Sequence, residues 1–300
     1  MLGAGSFEEA AKILTDCGYE DMSAMNSSEI DAALNRHRSE IFSEISRLSP
    51  DSEIADIFRM KYDCHNAKVI LKSEASGTPA EHLLSGSGRI DGAKLAAYYA
   101  EEKYSAMPGR LGRAMEEAKA VLARTGNPQA ADFMLDRAYF AEMLDTAEKS
   151  GNDFLLGYVK LMADAANLKA AVRTLRMGKS PDFLSDALIP GGNIDKERLI
   201  SAGDADAAAA VFAGSALEKA AAAGAEAAAG GSLTAFELAC DNAVNAYLKR
   251  SKLVSFGSEP VAAYLAAVEN EITAVRMILT GRLAGIKSEI LSERLRDMYA

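Results

Sequence analysis

The sequence contains few of the residues that interrupt helices or cross-link a chain. Among 300 residues there are 7 prolines and 3 cysteines. The cysteines, Cys17, Cys64 and Cys240, lie far apart, and an odd number without paired spacing argues against a disulfide framework or a zinc knuckle. We therefore expect reduced thiols and a cytoplasmic protein.

Long apolar runs and an excess of positive charge are also missing. No window reaches the roughly 18 continuous apolar residues of a membrane-spanning helix, and the start, MLGAGSFEEAAKIL, lacks the basic and apolar segments of a signal peptide. The formal net charge is −10, whereas a general nucleic-acid-binding protein needs a basic surface. We expect no direct membrane span and no nucleic-acid partner.

Apolar residues are plentiful, at 49% of the chain, and they recur three and four residues apart in nearly every segment. This spacing predicts an all-α protein. Turn signals such as Gly126-Asn127-Pro128 separate the segments. Ser6 and Glu9 have the spacing of a capping box before an apolar run. The length exceeds what one hydrophobic core usually serves, which suggests more than one domain.

One polar pattern occurs twice, in KYDCHNAKVILK at 61–72 and in MADAANLKAAVR at 162–173. An acid, an asparagine and two bases keep their spacing and return 101 residues later: Asp63, Asn66, Lys68 and Lys72, then Asp164, Asn167, Lys169 and Arg173. A third segment, VENEITAVRMIL at 268–279, keeps Glu271 and Arg276 but has Ala274 and then Thr280 at the other two positions. The third copy is degenerate.

Further landmarks follow the same register. Gly-x-Ile-Asp-x-x-x-Leu follows each of the first two copies, at 88–95 and at 192–199, and an aspartate precedes each copy, at Asp31, Asp136 and Asp241. Three similar helical-bundle repeats of about 100 residues are indicated, with repeat 1 at 1–95, repeat 2 at 96–200 and repeat 3 at 201–300. Such a period favours separate bundles over a solenoid, whose units are shorter.

On a helical wheel the repeated acids lie among apolar residues. Burying a carboxylate is costly unless it is paired or hydrogen-bonded. We interpret one set of residues as buried polar groups that fix the packing inside each bundle: Asp63, Asn66, Asp164, Asn167 and Glu271. Acid/base catalysis is the alternative, but finding the same device three times favours an architectural role.

The repeated bases fall on the opposite side of each helix. Like charges four residues apart, as in Lys68 with Lys72, are mildly unfavourable on an isolated helix and therefore suggest acidic neighbours. Those neighbours belong either to the same chain, on a solvated face with scattered salt bridges, or to a partner. We predict a positively charged, partner-binding surface formed by Lys68, Lys72, Lys169, Arg173 and Arg276.

Patterns typical of catalytic and cofactor sites are weak. The histidines His37, His65 and His82 form no metal-binding motif, and Gly86-Ser87-Gly88 has neither the preceding strand nor the following GK[ST] of a phosphate loop. No serine has a defensible His/Asp partner pattern. We expect no catalytic residue, cofactor, metal or small-molecule substrate.

The repeated motif, together with FEEAAKILTDCGYEDM at 7–22, NLKAAVRTLRMGKSP at 167–181, FGSEPVAAYL at 256–265 and the segment 268–299, resembles the C-subunit family of V/A-type ATPases and ATP synthases. The same family includes the d-type (AC39-like) protein of eukaryotic vacuolar pumps. The resemblance covers most of the chain in order.

This resemblance implies a non-catalytic central-stalk subunit with three bundles arranged as a funnel or socket. A protein of this kind couples the rotor shaft to the membrane proteolipid ring for ATP-linked H⁺ or Na⁺ transport, and it is peripheral to the membrane. The bases then face the inside or the shaft. Family members usually have a further helix before the first matching segment, so repeat 1 is expected to lack a leading helix. The alternative is a generic helical-repeat scaffold that binds partner helices.

Overall fold

A computed structural model describes residues 1–49 and 52–297. Within these ranges the chain contains helices and no strand, which confirms the all-α prediction. The α-helices are α1 (Phe7–Thr15), α2 (Ser27–Leu48), α3 (Ser52–Ser76), α4 (Gly92–Ala100), α5 (Leu111–Thr125), α6 (Pro128–Lys149), α7 (Asp153–Arg176), α8 (Pro181–Ala187), α9 (Lys196–Ile200), α10 (Ala205–Ala210), α11 (Glu218–Ala228), α12 (Leu233–Leu248), α13 (Ser258–Leu283) and α14 (Ser288–Ser292). Three short 3-10 helices lie at Glu81–Leu83, Tyr104–Ala106 and Lys249–Leu253.

Side-chain caps set several of the helix starts. Asn26 accepts hydrogen bonds from the backbone N–H groups of Ser28 and Glu29 at the start of α2, and Glu29 bonds back to the N–H of Asn26. At α1, Ser6 accepts from the N–H of Glu9, as the spacing suggested, but the Glu9 carboxylate accepts from the N–H of Gly5 instead of closing the box on Ser6.

Six long helices form a closed sequence of contacts. The hairpin partners α2–α3, α6–α7 and α12–α13 pack together, and each pair also packs against the next, through α3 with α6, α7 with α12 and α13 with α2. The last contact joins helices from opposite ends of the chain. The closure therefore depends on a contact between α2 and α13 that is remote in sequence.

A central hydrophobic core lies where the ends of all three pairs meet. It combines the second half of α2, α6 and α12 with the first half of α3, α7 and α13, and its buried members include Phe42, Ile54, Met143, Leu155, Leu248 and Ala262. Fully burying large apolar side chains of this kind contributes about 1.5–3 kcal/mol each. The three pairs are thus joined at one end.

Three peripheral cores lie farther along the same helices. One joins α3 with α4, α5 and α6; a second joins α7 with α8 to α12; the third joins α13 with α1 and α2. Position 95 lies inside α4 and position 200 is the last residue of α9. The cores continue across both positions, since Leu95 and Leu111 belong to one core and Leu199 and Phe212 to another. The division at 95 and 200 stays a prediction.

No helix within the described ranges combines the length and the apolar character that crossing a bilayer requires.

Candidate functional site

The acid of each of the first two repeated motifs is buried and receives hydrogen bonds from a loop. Asp63 is 1% exposed, and its carboxylate accepts from the backbone N–H of Arg89 at 2.9 Å and from the Arg89 Nε at 2.6 Å. Asp164 is 3% exposed and accepts from the backbone N–H groups of Asn193 and Ile194, each at 3.0 Å. Each carboxylate therefore holds the Gly-x-Ile-Asp loop against its helix.

The glycine of that loop is required by the close approach to the carboxylate. A Cβ atom on Gly88 would lie 2.3 Å from Asp63 Oδ1, and one on Gly192 would lie 2.1 Å from Asp164 Oδ1. Both distances are far shorter than van der Waals contact. The aspartate of Gly-x-Ile-Asp has a different role. Asp91 accepts hydrogen bonds from the backbone N–H groups at the start of α4 and so caps that helix.

The repeated asparagines hold the same two loops at a second point. Asn66 donates from Nδ2 to the Ser85 carbonyl and accepts at Oδ1 from the Ser85 N–H, both at 2.8 Å. Asn167 makes the same pair of bonds with Ile189, at 2.8 and 2.7 Å. A side-chain amide can satisfy one backbone donor and one backbone acceptor at once, which explains its use here.

The burial of Asp63 affects its ionisation. Desolvation raises the pKa of Asp63 above its ordinary value, although Arg89 and the loop N–H groups oppose the rise by stabilising the charged form. The Arg89 guanidinium also contacts Glu142 on α6. In the second copy the residue after the glycine is Asn193, whose amide Nδ2 donates to Asp164 at 2.9 Å. The two copies thus share the backbone bonds and differ in the side chain.

Glu271, the corresponding acid of the third copy, is exposed, and the expectation that it is buried is wrong. Its carboxylate accepts from the Tyr19 hydroxyl at 2.8 Å. The physical reason is that no Gly-x-Ile-Asp sequence follows α13 to cover the carboxylate. The N-terminal segment that packs there instead brings a phenol hydroxyl.

The repeated bases pair with the aspartates that precede the repeated acids. The Nζ of Lys68 lies 2.6 Å from Asp136, and the Nζ of Lys169 lies 2.6 Å from Asp241. The Arg276 Nε lies 2.8 Å from Asp31, which joins the two ends of the chain. One base–acid pair thus crosses each of the contacts α3–α6, α7–α12 and α13–α2.

A second pair, one helical turn away, crosses only two of these contacts. Lys72 lies 2.7 Å from Asp132 and Arg173 lies 2.5 Å from Glu237. At the third contact the corresponding positions, four residues after Arg276 and four before Asp31, are Thr280 and Ser27. The base and the acid are therefore both absent at the contact between α2 and α13.

All five predicted partner-binding bases thus face acids of the same chain. They lie on three different inter-helix contacts. In the pairs made with Asp136, Asp241 and Asp31, the exposed fraction of the side chains ranges from 25% for Lys169 to 45% for Asp31. Exposed pairs of this kind typically contribute about 0–1 kcal/mol each. Their role in binding a partner stays a prediction.

A cavity of about 280 Å³, lined by both apolar and charged side chains, lies between the helix pairs. Side chains from α3, α6, α7, α12 and α13 line it, together with Arg296, which follows α14. Arg296 contacts Asp241 with Nε and Nη2, each at 2.7 Å, so Asp241 bridges Lys169 and the C-terminal segment. Residues far apart in the sequence therefore share this wall.

Glu269 is the buried acid of α13, and the sequence reasoning missed it. It is 8% exposed and accepts from the Tyr62 hydroxyl at 2.6 Å, while Lys61 and Arg38 lie against it, the Arg38 Nε at 3.2 Å. Burial alone raises the pKa of Glu269, but Lys61 and Arg38 outweigh burial and hold this pKa below its ordinary value. This cluster ties α2, α3 and α13 together, and no recurring spacing in the sequence announces it.

No group of three or more potential metal ligands occurs within residues 1–49 and 52–297. The described residues instead form ion pairs and amide–backbone hydrogen bonds that join helices and loops near the central cavity.

Comparison with known proteins identifies the family. Residues 1–294 match the family described as ATP synthase (C/AC39) subunit. The C subunit of the V-type sodium ATPase of Enterococcus hirae is 24% identical over 274 residues, which cover 90% of this chain and 83% of that protein. The C subunit of the A-type ATP synthase of Methanocaldococcus jannaschii is 26% identical, with 96% of this chain and 78% of that protein covered. The C subunit of the V-type ATP synthase of Thermus thermophilus is 24% identical over 67% of this chain and 64% of its own length. The match over nearly the whole chain confirms the resemblance seen in the sequence: the protein belongs to the ATP synthase (C/AC39) subunit family.

Proposed function

We propose that this protein is the non-catalytic central-stalk subunit of a rotary V/A-type ATPase, and that it couples the rotor shaft to the membrane proteolipid ring for ATP-linked H⁺ or Na⁺ transport. Membership of the family supports a role as a subunit of such a machine. In this proposal the protein works at the cytoplasmic side, peripheral to the membrane.

The observation that carries the proposal is the closed sequence of contacts among six long helices, five of which line a cavity. Transmitting torque requires a body that does not shear when one end is turned. Base–acid pairs across α3–α6, α7–α12 and α13–α2 cross-brace the helix pairs, and the central core joins them at one end. We propose that these contacts reflect three repeats arranged as a socket.

A second recess lies beside the central cavity and has room for a few side chains of another protein. A groove of about 320 Å³ between α6, α7 and α8 shares Phe140, Ala166 and Lys169 with the central cavity and carries Phe133 and Phe183 on its wall. We propose that the shaft enters here. Lys169 and Arg173 already pair with acids of this chain. We therefore expect the shaft to contact a surface on which basic and acidic side chains alternate, and to contact both members of each ion pair.

Reconstitution with purified rotor shaft and purified proteolipid ring tests the proposal. We expect the protein to bind each part separately and to restore the coupling of ATP hydrolysis to ion transport in a complex that lacks it. Binding to neither part, under conditions in which related complexes assemble, would overturn the proposal.

A further inference from the structure

The three connections between paired long helices lie at the same end of the molecule but differ in length. The residues next to each connection meet in the central core: Phe42 and Ile54, Met143 and Leu155, Leu248 and Ala262. Positions 49–51 and 150–152 link the first two pairs, whereas positions 249–257 link α12 to α13. Three residues are therefore enough to connect such a pair, and the third connection is three times as long.

The extra length carries exposed apolar side chains. Leu253 is 91% exposed and Phe256 is 89% exposed, the two highest values among the large hydrophobic residues of the described chain. Leu48, at the end of α2 and thus at the same end of the molecule, is 61% exposed. Apolar side chains grouped on a surface loop are typical of an interaction site.

The same connection is basic, in a chain whose net charge is −10. Lys249 and Arg250 precede the apolar residues, and the Arg250 guanidinium lies over the Tyr247 ring at 5.2 Å from its centre. This combination fits a protein surface with an apolar recess edged by acidic groups. A bilayer surface fits less well, because two large apolar side chains give weak insertion and the strongly acidic remainder of the chain is repelled by anionic lipid.

The groove by which we propose that the shaft enters lies away from this end of the molecule. It is lined by Arg173 and Met177 at the C-terminal end of α7 and by Phe183 on α8. The connections lie at the opposite end of the long helices, next to the central core, although the central cavity reaches Leu248 on α12. A shaft seated in the groove therefore leaves the end with Leu253 for a different partner.

We infer that the connection 249–257 is a contact with the proteolipid ring, in which Leu253 and Phe256 enter an apolar recess on the ring and the neighbouring bases face acidic groups around it. This inference rests on the proposed function. It assigns the contact to one of the three connections, so the attachment is off-centre.

The test compares binding of purified variants to detergent-purified proteolipid ring and, separately, to purified shaft. The variant Leu253→Ser/Phe256→Ser should bind the ring at least tenfold more weakly than the wild type and bind the shaft equally well, with an unchanged melting temperature. Leu83→Ser is the matched control, because Leu83 is 52% exposed and lies in a different 3-10 helix. It should leave both affinities unchanged.

Each other outcome is decisive. If the wild type binds neither ring nor shaft, the proposed function fails, and this inference fails with it. If the wild type binds both and the double variant retains its affinity for the ring, the inference alone is overturned. Binding to protein-free vesicles of anionic lipid that is lost in the double variant, without a loss of ring binding, would replace the ring with the bilayer as the partner and would also overturn it.

Discussion

Replacing Asp164 with alanine should destabilise the protein by about 2–4 kcal/mol, because the substitution leaves buried donors without an acceptor. The carboxylate accepts from the N–H groups of Asn193 and Ile194 and from the Asn193 side chain. Each buried donor left unsatisfied costs about 1–3 kcal/mol. The Asn193 side chain is exposed and can turn to water, so only the two backbone groups enter the sum.

The loss of a buried charge reduces this cost, because Asp164 no longer has to be desolvated. This is why the expected value stays below the sum of two full penalties. Asp164→Asn should cost less, about 1–2 kcal/mol, because one carbonyl oxygen remains to accept a loop N–H. Glu226→Ala serves as the control, since Glu226 is exposed on α11 and surface substitutions usually change stability by less than about 0.5 kcal/mol.

Urea denaturation followed by far-ultraviolet circular dichroism provides the measurement, since the chain has no tryptophan to report by fluorescence. A typical protein has only about 5–15 kcal/mol of total stability, so the predicted shift of the midpoint is easily resolved. The reasoning is refuted if Asp164→Ala and Glu226→Ala destabilise equally, or if Asp164→Asn is the more damaging of the two Asp164 variants.

Three further outcomes are expected. Gly192→Ala should lower the melting temperature, because its Cβ would lie 2.1 Å from a carboxylate oxygen, whereas Gly3→Ala, with nothing within 4 Å, should not; equal effects would contradict the steric argument. The carboxyl of Glu269 has a pKa below its ordinary 4.5, so its stabilising effect is complete above that pH and is lost as the pH falls through the lower, folded-state value. The melting-temperature gap between wild type and Glu269→Gln should therefore narrow on acidification below about pH 4.5, and a constant gap would disprove the assignment. Ser27→Asp combined with Thr280→Lys should stabilise the α2–α13 contact by up to about 1 kcal/mol in a double-mutant cycle at low salt, and a coupling energy of zero would show that the two positions do not meet.

The sequence allowed the helices and their polar motif to be predicted because the relevant patterns are local. A period of three and four residues identifies a helix, and the recurrence of Gly-x-Ile-Asp at a fixed distance indicates a loop that returns to the same helix. The wheel placed Asp63 and Asp164 on an apolar face for the same reason. It could not separate them from Glu271, because what covers a helix face is decided by the following loop and not by the helix itself.

The partners of the bases could not be read from single helices. Lys68 and Asp136 are 68 residues apart, and Arg276 and Asp31 are 245 apart. The signal was present as an aspartate in each repeat, but one aspartate at a loose spacing carries little information. Glu269 had no signal of this kind, because its partners Lys61 and Arg38 come from two other helices and recur nowhere in the motif.

The degenerate third copy shows how such partners can be recognised. Thr280 replaces the base seen at Lys72 and Arg173, and Ser27 replaces the acid seen at Asp132 and Glu237. A base that lost its acid would be left with an unbalanced charge between two helices, and an acid that lost its base would be in the same position. The substitution of both by neutral hydroxyl residues therefore indicates that the two positions face each other. Once the pairs at the other two contacts are known, the same offsets in the sequence point to the contact between α2 and α13, and with it to the closure of the six helices.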